Sequence, residues 1–404
     1  MLRSLQDAIE ESLLEDTETE SQATVFPRVL ATSTKVAQTI KERPADQVHV
    51  LGQDFRGIFI AHALSGSLAL PPPKVLFYVG NLMKAFKTEG AGITVVHEGD
   101  PTTRNRLITE WVGGTKDEPI REHIEHLVVT ASCFNAVRVI SNVRHRIDHR
   151  TTILLVQDGL GVVEELNKTF FPDPRSRPTY VLGHMTHSFG HEKGRVFSVS
   201  EAVRGRLFLT ALPRGASYSR MRFHPPIERQ PRATSLIKTL STTAGLNAGG
   251  FSLEEFLLKK LPSMVFHSIT DSLSVILDFS YDKLLDNDYR YILIGQLLDE
   301  IYNVIMSLPE LPNASKIVDR MSKDKLRRDI VKKLRSKGYD ESRMLHRIRA
   351  GRMTDIDYLN GYFVKKGKEL GIKCPTNEMV MNLVKAKLSA RRKEMEAAIP
   401  FEIA

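Results

Sequence analysis

Short continuous apolar runs alternate with amphipathic stretches through the first half of the chain. Val48–Leu51 is such a run and ends at Gly52, and from Phe55 to Leu64 the apolar residues Ile58, Ile60, Ala61 and Leu64 recur at helical spacing. That order reads as strand, turn, helix. Further strand-like runs lie at Val75–Val79, Ile93–Val96, Leu127–Val129 and Thr152–Val156, with a helical stretch at Phe134–Val143. Apolar strands without polar alternation, separated by helices, predict a mostly parallel sheet covered on both faces.

After Pro178 the pattern turns shorter and more strand-like until about Leu212, and Pro213 to Pro231 is a Pro/Arg-rich connection. From Leu236 the chain reads as helix: Leu253–Leu277, Asp286–Met306, Lys316–Leu334, Asp355–Leu370 and Asn377–Ala397. Gly371 stands where a helix C-cap glycine belongs, and Pro375-Thr376 stops one helix and starts the next. The resulting division is an acidic N-terminal extension over 1–45, an α/β domain over 46–215, a linker over 216–235 and a helical domain over 236–400. A chain of 404 residues suits two domains.

Composition adds little until charge is placed along the chain. The 42% hydrophobic and 26% charged content is that of a globular protein, and no apolar run is long enough to span a bilayer. Cys133 and Cys374 cannot form a disulfide framework or a zinc-type ligand set. His184, His187 and His191 lie near one another without an acidic ligand at suitable spacing, so no metal is expected. The first turns are acidic, from Asp7 to Glu20 with only Arg3 as a base, the reverse of a mitochondrial transit peptide, which by itself points to the cytoplasm.

The net charge is +9, and Lys316 to Arg352 contains 14 Lys or Arg against 5 Asp or Glu, which accounts for all of it. A single helix from Lys316 would bury Ile317, Val318, Met321, Ile330, Val331 and Leu334. Arg320, Lys323, Arg327, Arg328, Lys332 and Arg335 would then face outward. Such a row can track phosphates, although it also serves as an ordinary solvated face. Tyr339 is the only aromatic residue within the segment, too few for reading bases by stacking.

Two groups of residues carry a resemblance. Val156-Gln157-Asp158-Gly159-Leu160-Gly161, then Phe171-Pro172-Asp173-Pro174 and Arg177-Pro178-Thr179-Tyr180, resemble the middle of fungal ketopantoate reductases. Ala350-Gly351-Arg352-Met353-Thr354-Asp355-Ile356-Asp357-Tyr358-Leu359-Asn360-Gly361 resembles that family's C-terminal signature, and Pro375-Thr376-Asn377 its next landmark. The resemblance implies a Rossmann-like α/β domain followed by an all-α domain of the 6-phosphogluconate-dehydrogenase C-terminal type. It also implies NADPH on the first turn and a 2-oxo acid between the domains.

Carried over residue by residue, that pattern is interrupted. The turn expected as Gly-x-Gly-x-x-Gly reads Gly52-Gln53-Asp54-Phe55-Arg56-Gly57, so a carboxylate replaces the glycine that lets backbone approach the pyrophosphate. Two like unit charges about 4 Å apart cost about 4 kcal/mol at an effective dielectric near 20, roughly a thousandfold in affinity. The arginine expected for the 2′-phosphate is missing from Val79-Gly80-Asn81, with Lys84 the nearest substitute, and no lysine stands near Thr130-Ala131. Asp158 replaces the asparagine of an Asn-Gly pair. The family's acid survives as Lys260, but Met264 and Ser268 stand in place of its asparagine companions. Arg343 replaces a serine, and Asp355 a glutamate.

Two readings follow. In the first, the chain keeps the fold, has a degraded cofactor site at Gly52, Gly57 and Asp158, and acts as a binding protein without a cofactor. Its partner is then RNA or a mitoribosome-associated protein, because a fungal mitochondrial translational activator of cytochrome b looks like a similarly altered member; that analogy also suggests mitochondria. In the second, NADPH binds and a 2-oxo acid is reduced, with Lys260 as general acid and Asp355 as substrate ligand. Against these roles stand a solvated Lys260 beside Lys259, and an Asp355 that caps its own helix. The apolar helical faces also allow a homodimer.

Overall fold

The computed structural model describes residues 47–112, 122–192, 194–213 and 230–397; the acidic extension, and the expectations resting on it, lie outside them. An eight-stranded sheet runs in the order β12-β11-β8-β7-β6-β1-β2-β5. Its strands are β1 (Val48–Leu51), β2 (Lys74–Phe77), β5 (Ile108–Trp111), β6 (His126–Val129), β7 (Thr152–Val156), β8 (Thr179–Met185), β11 (Leu207–Ala211) and β12 (Ala248–Gly250). All neighbouring pairs are parallel except β8 with β11. The central strands β1, β6 and β7 are buried along their whole length, as uninterrupted apolar runs require.

Ile93–His97, read from sequence as a further strand of this sheet, is β3 of a second, four-stranded sheet with order β4-β3-β10-β9. Its partners are β4 (Asp100–Arg104), β9 (Ser188–His191) and β10 (Ser198–Val203). This sheet packs its apolar face, including Val95 and Val199, against helix α1 (Phe55–Ser65). The outer strand β4 is mostly exposed, so the small sheet buries one face only.

The sheet is flanked by α2 (Gly80–Thr88), α3 (Cys133–Ser141), α4 (Val162–Thr169) and α5 (Pro231–Thr242). Position 236, the expected start of the helical domain, falls inside α5. Ala233, Leu236, Ile237 and Leu240 of α5 bury themselves against the sheet, and β12 extends its edge beside β11. The helical part begins at α6 (Leu253–Leu277), whose start is fixed by a reciprocal capping box between Ser252 and Glu255. It continues with α7 (Tyr281–Asp286), α8 (Arg290–Met306), α9 (Ala314–Met321), α10 (Lys323–Lys337), α11 (Arg343–Arg349), α12 (Asn360–Leu370) and α13 (Pro375–Ala397).

One core cluster joins the second face of the sheet to the helices: Leu51, Leu127 and Val129 belong to it together with Phe256, Leu261 and Phe363. The two parts therefore share buried apolar surface, and the residues at their junction are held by packing on both sides.

Candidate active site

The turn after β1 brings Gly52 and Gly57 together for a packing reason. Gly52 has φ +150°, and a Cβ on Gly57 would lie 2.0 Å from the carbonyl oxygen of Gly52. Both glycines let strand and helix meet closely, whatever binds there.

Asp54 occupies the N-cap of α1: its Oδ1 accepts from the Gly57 amide at 3.0 Å. Its Oδ2 accepts from Arg56 Nε at 3.0 Å, and the same guanidinium donates to Asp158 Oδ1 at 2.9 Å. Asp158 Oδ2 in turn accepts from Arg343 of α11 at 3.4 Å. An ion network thus runs from the helix N-terminus across the cleft to the helical domain. Burial opposes ionisation of Asp158, but Arg56 and Arg343 overcome it and hold the carboxyl well below the usual range. Arg56, quoted in the motif but given no role from sequence, is the centre of this network.

Lys260 is not a solvated helix lysine. Its side chain is buried, with 2% of the residue exposed, and Nζ donates to the carbonyls of Gln157 at 2.6 Å and Asp158 at 3.2 Å. Burial lowers its pKa to about 8 against the pull of Asp158. Asp355 is also placed differently from expectation: it makes no side-chain cap on its own helical turn, and instead its Oδ1 accepts from the Phe134 amide at the start of α3 at 3.0 Å. Burial raises its pKa to about 6, with the Phe134 amide opposing and Asp158 adding to the rise.

Among the cavities bounded by described residues, these two line different ones. A cavity of about 330 Å³ is bounded by Ser132, Asp158, His267, Arg343, Arg347 and Asp355 among others, whereas Lys260 borders a narrow crevice beside Leu160, Gly161 and Tyr362. Met264 and Phe266 are buried within α6, and Arg343 lines the cavity beside Asp158. The cavity instead presents His267, whose Nδ1 pairs with Asp271 Oδ2 at 3.0 Å while Asp271 Oδ1 accepts from Tyr281 at 2.8 Å. The i, i+4 spacing of His267 and Asp271 was the available sequence signal for this pair.

The turn that would receive a dinucleotide pyrophosphate carries Asp54, paired with Arg56, at the place of a glycine. The Gly57 amide at the helix start is already taken by Asp54, whose carboxylate would repel a phosphate. Lys84 is exposed on α2, and Val79 caps that helix without a side-chain bond. Among the described residues no group of three or more His, Cys, Asp or Glu is arranged to hold a metal. Glu201, distant in sequence from the histidine run, lies 3.6 Å from His187 and 3.1 Å from His97.

The basic segment is two helices rather than one. Ser322 ends α9 and caps α10 by accepting from the Lys325 amide at 3.3 Å. Ile317, Met321, Leu326, Ile330 and Leu334 are buried, but Val318 is 50% exposed, contrary to the single-helix stripe. Lys323 pairs with Asp299, and Arg327 is only half-exposed; Arg320, Arg328, Lys332 and Arg335 are outward as expected.

The chain is thus a Rossmann-like domain joined through a shared core to a helical domain, with a cavity lined from both. Residues 48–212 match the family described as "Ketopantoate reductase PanE/ApbA" and residues 255–388 its "C terminal" counterpart. The chain belongs to the ketopantoate reductase family. Over 296 residues it is 23% identical to the 2-dehydropantoate 2-reductase of Saccharomyces cerevisiae, covering 67% of this chain and 76% of that one. Over 292 residues it is also 23% identical to the Cytochrome B translational activator CBS2 of the same yeast, covering 65% and 74%. Among solved structures, a D-mandelate dehydrogenase with NADH and anilino(oxo)acetate superposes with TM-score 0.62 at 18% identity, covering 86% of this chain and 99% of that one.

Proposed function

We propose that this chain is a reductase-fold protein that works by binding a partner rather than by nicotinamide-dependent reduction. The observation that carries the proposal is Asp54, whose carboxylate caps α1 and is tied through Arg56 to Asp158. The rest of the site agrees with it: the general acid expected at Lys260 faces two carbonyls outside the Asp355 cavity. The chain is 23% identical both to a reductase and to a translational activator of the same yeast, so family membership alone does not assign an activity, and the altered turn supports the binding reading. Within this reading the partner is RNA or a mitoribosome-associated protein, in keeping with the translational activation named for the yeast relative.

The competing activity is NADPH-dependent reduction of ketopantoate or a related 2-oxo acid, which the lowered pKa of Lys260 favours. Following NADPH absorbance with ketopantoate and purified protein separates the two. The proposal expects no consumption above the protein-free rate; turnover that disappears in Lys260→Ala would overturn it.

A further inference from the structure

Lys325, Arg328, Lys332 and Arg335 fall at i, i+3, i+7 and i+10 on α10, which places them along one stripe of about 15 Å. All four are exposed, and among the described residues none has a carboxylate within ion-pair distance. Their neighbours differ: Lys316 is paired with Glu254, Lys323 with Asp299, and Arg320 lies 3.6 Å from Asp319. The acids of α10 itself are Asp324, in its first turn before the stripe, and Asp329, half-buried beside Arg328 and close enough to act on Lys333.

The aromatic residues missing from the basic segment come from α8. Asp299 meets Lys323, and a Cβ on Gly295 would lie 3.8 Å from the Arg327 guanidinium. Positions 299 and 295 thus face 323 and 327, so α8 and α10 run antiparallel, and one further turn sets Tyr291 and Ile292 beside Val331 and Lys332. Tyr289, Tyr291 and Ile292 are 68%, 49% and 56% exposed. The Arg290 guanidinium lies 4.4 Å from the centre of the Tyr291 ring, a flat cationic and aromatic surface next to the row of charges.

We infer that α8 and α10 together form a binding surface for single-stranded nucleic acid, in which the α10 stripe follows the phosphates and Tyr289 and Tyr291 receive unpaired bases. The inference rests on the reading of this chain as a binding protein and specifies its partner. Phosphate contacts alone would not distinguish single from double strands, whereas base stacking requires bases free of a duplex.

The test is fluorescence anisotropy of the full chain with a labelled 12-nucleotide oligouridine RNA, with the same RNA annealed to oligoadenine as competitor, over a series of salt concentrations. The single strand is expected to bind at least tenfold more tightly than the duplex. Arg328→Gln with Lys332→Gln should reduce the salt slope by about 1.4, at about 0.7 for each lost contact. Tyr289→Ala with Tyr291→Ala should weaken binding about tenfold and leave that slope unchanged. Equal binding of duplex and single strand, no effect of the tyrosine changes, or tighter association with phosphatidylserine vesicles than with RNA would each overturn the inference. None of these residues belongs to the Asp54 network, so failure here is separate from the outcome of the NADPH assay.

Discussion

The carboxyl of Asp355 sits against the start of α3, where the Phe134 amide donates to it and Asp158 lies close enough to oppose its charge. Burial raises its pKa to about 6, while an unfolded aspartate titrates near 4. The folded state therefore binds this proton more tightly, so its contribution is fully present below about pH 4 and is lost as pH rises through about 6. The expected result is a urea midpoint that falls across this window and a smaller fall in Asp355→Asn; an unchanged pH dependence in the variant would show that Asp355 is not the group responsible. At this scale the sequence supplied residue identities but not their partners. Asp54 was legible because a charge in a glycine position conflicts with an anion regardless of detail. The burial of Lys260 was not legible because its partners, the carbonyls of Gln157 and Asp158, are backbone groups about a hundred positions away that leave no pattern in composition.

Between elements, the junction depends on close backbone approach. A Cβ on Gly159 would lie 2.4 Å from the Tyr358 carbonyl oxygen, and the Leu160 amide donates to that same oxygen at 3.0 Å. Gly159→Ala should force the loop after β7 away from the turn before α12 and cost about 1–3 kcal/mol in chemical denaturation. Loss of less than about 0.5 kcal/mol would mean that the contact yields without strain. The apolar periodicity located most helices and central strands, because burial on both faces leaves an unbroken run. It did not separate β3 from the main sheet, since a strand with Ile93 and Val95 inward reads alike in either sheet. It also merged α9 with α10, because Ser322 caps the second helix without interrupting the charge pattern. The exposed tyrosines of α8 and the cations of α10 belong to different segments, and only their antiparallel packing makes them one surface.

For the whole molecule, the family's fold is retained and a network of ion pairs links its two parts. Asp54, Arg56, Asp158 and Arg343 form a continuous series of ion pairs from the first turn of α1 to the helical domain. These interactions occupy the junction where the family resemblance places NADPH and substrate. Calorimetric titration of the purified chain with NADPH, alongside Asp54→Gly, examines this most directly. The expected result is no measurable binding to the unaltered chain, with weak binding gained when the capping carboxylate is removed. Micromolar binding to the unaltered chain would contradict it and establish the cofactor site as functional.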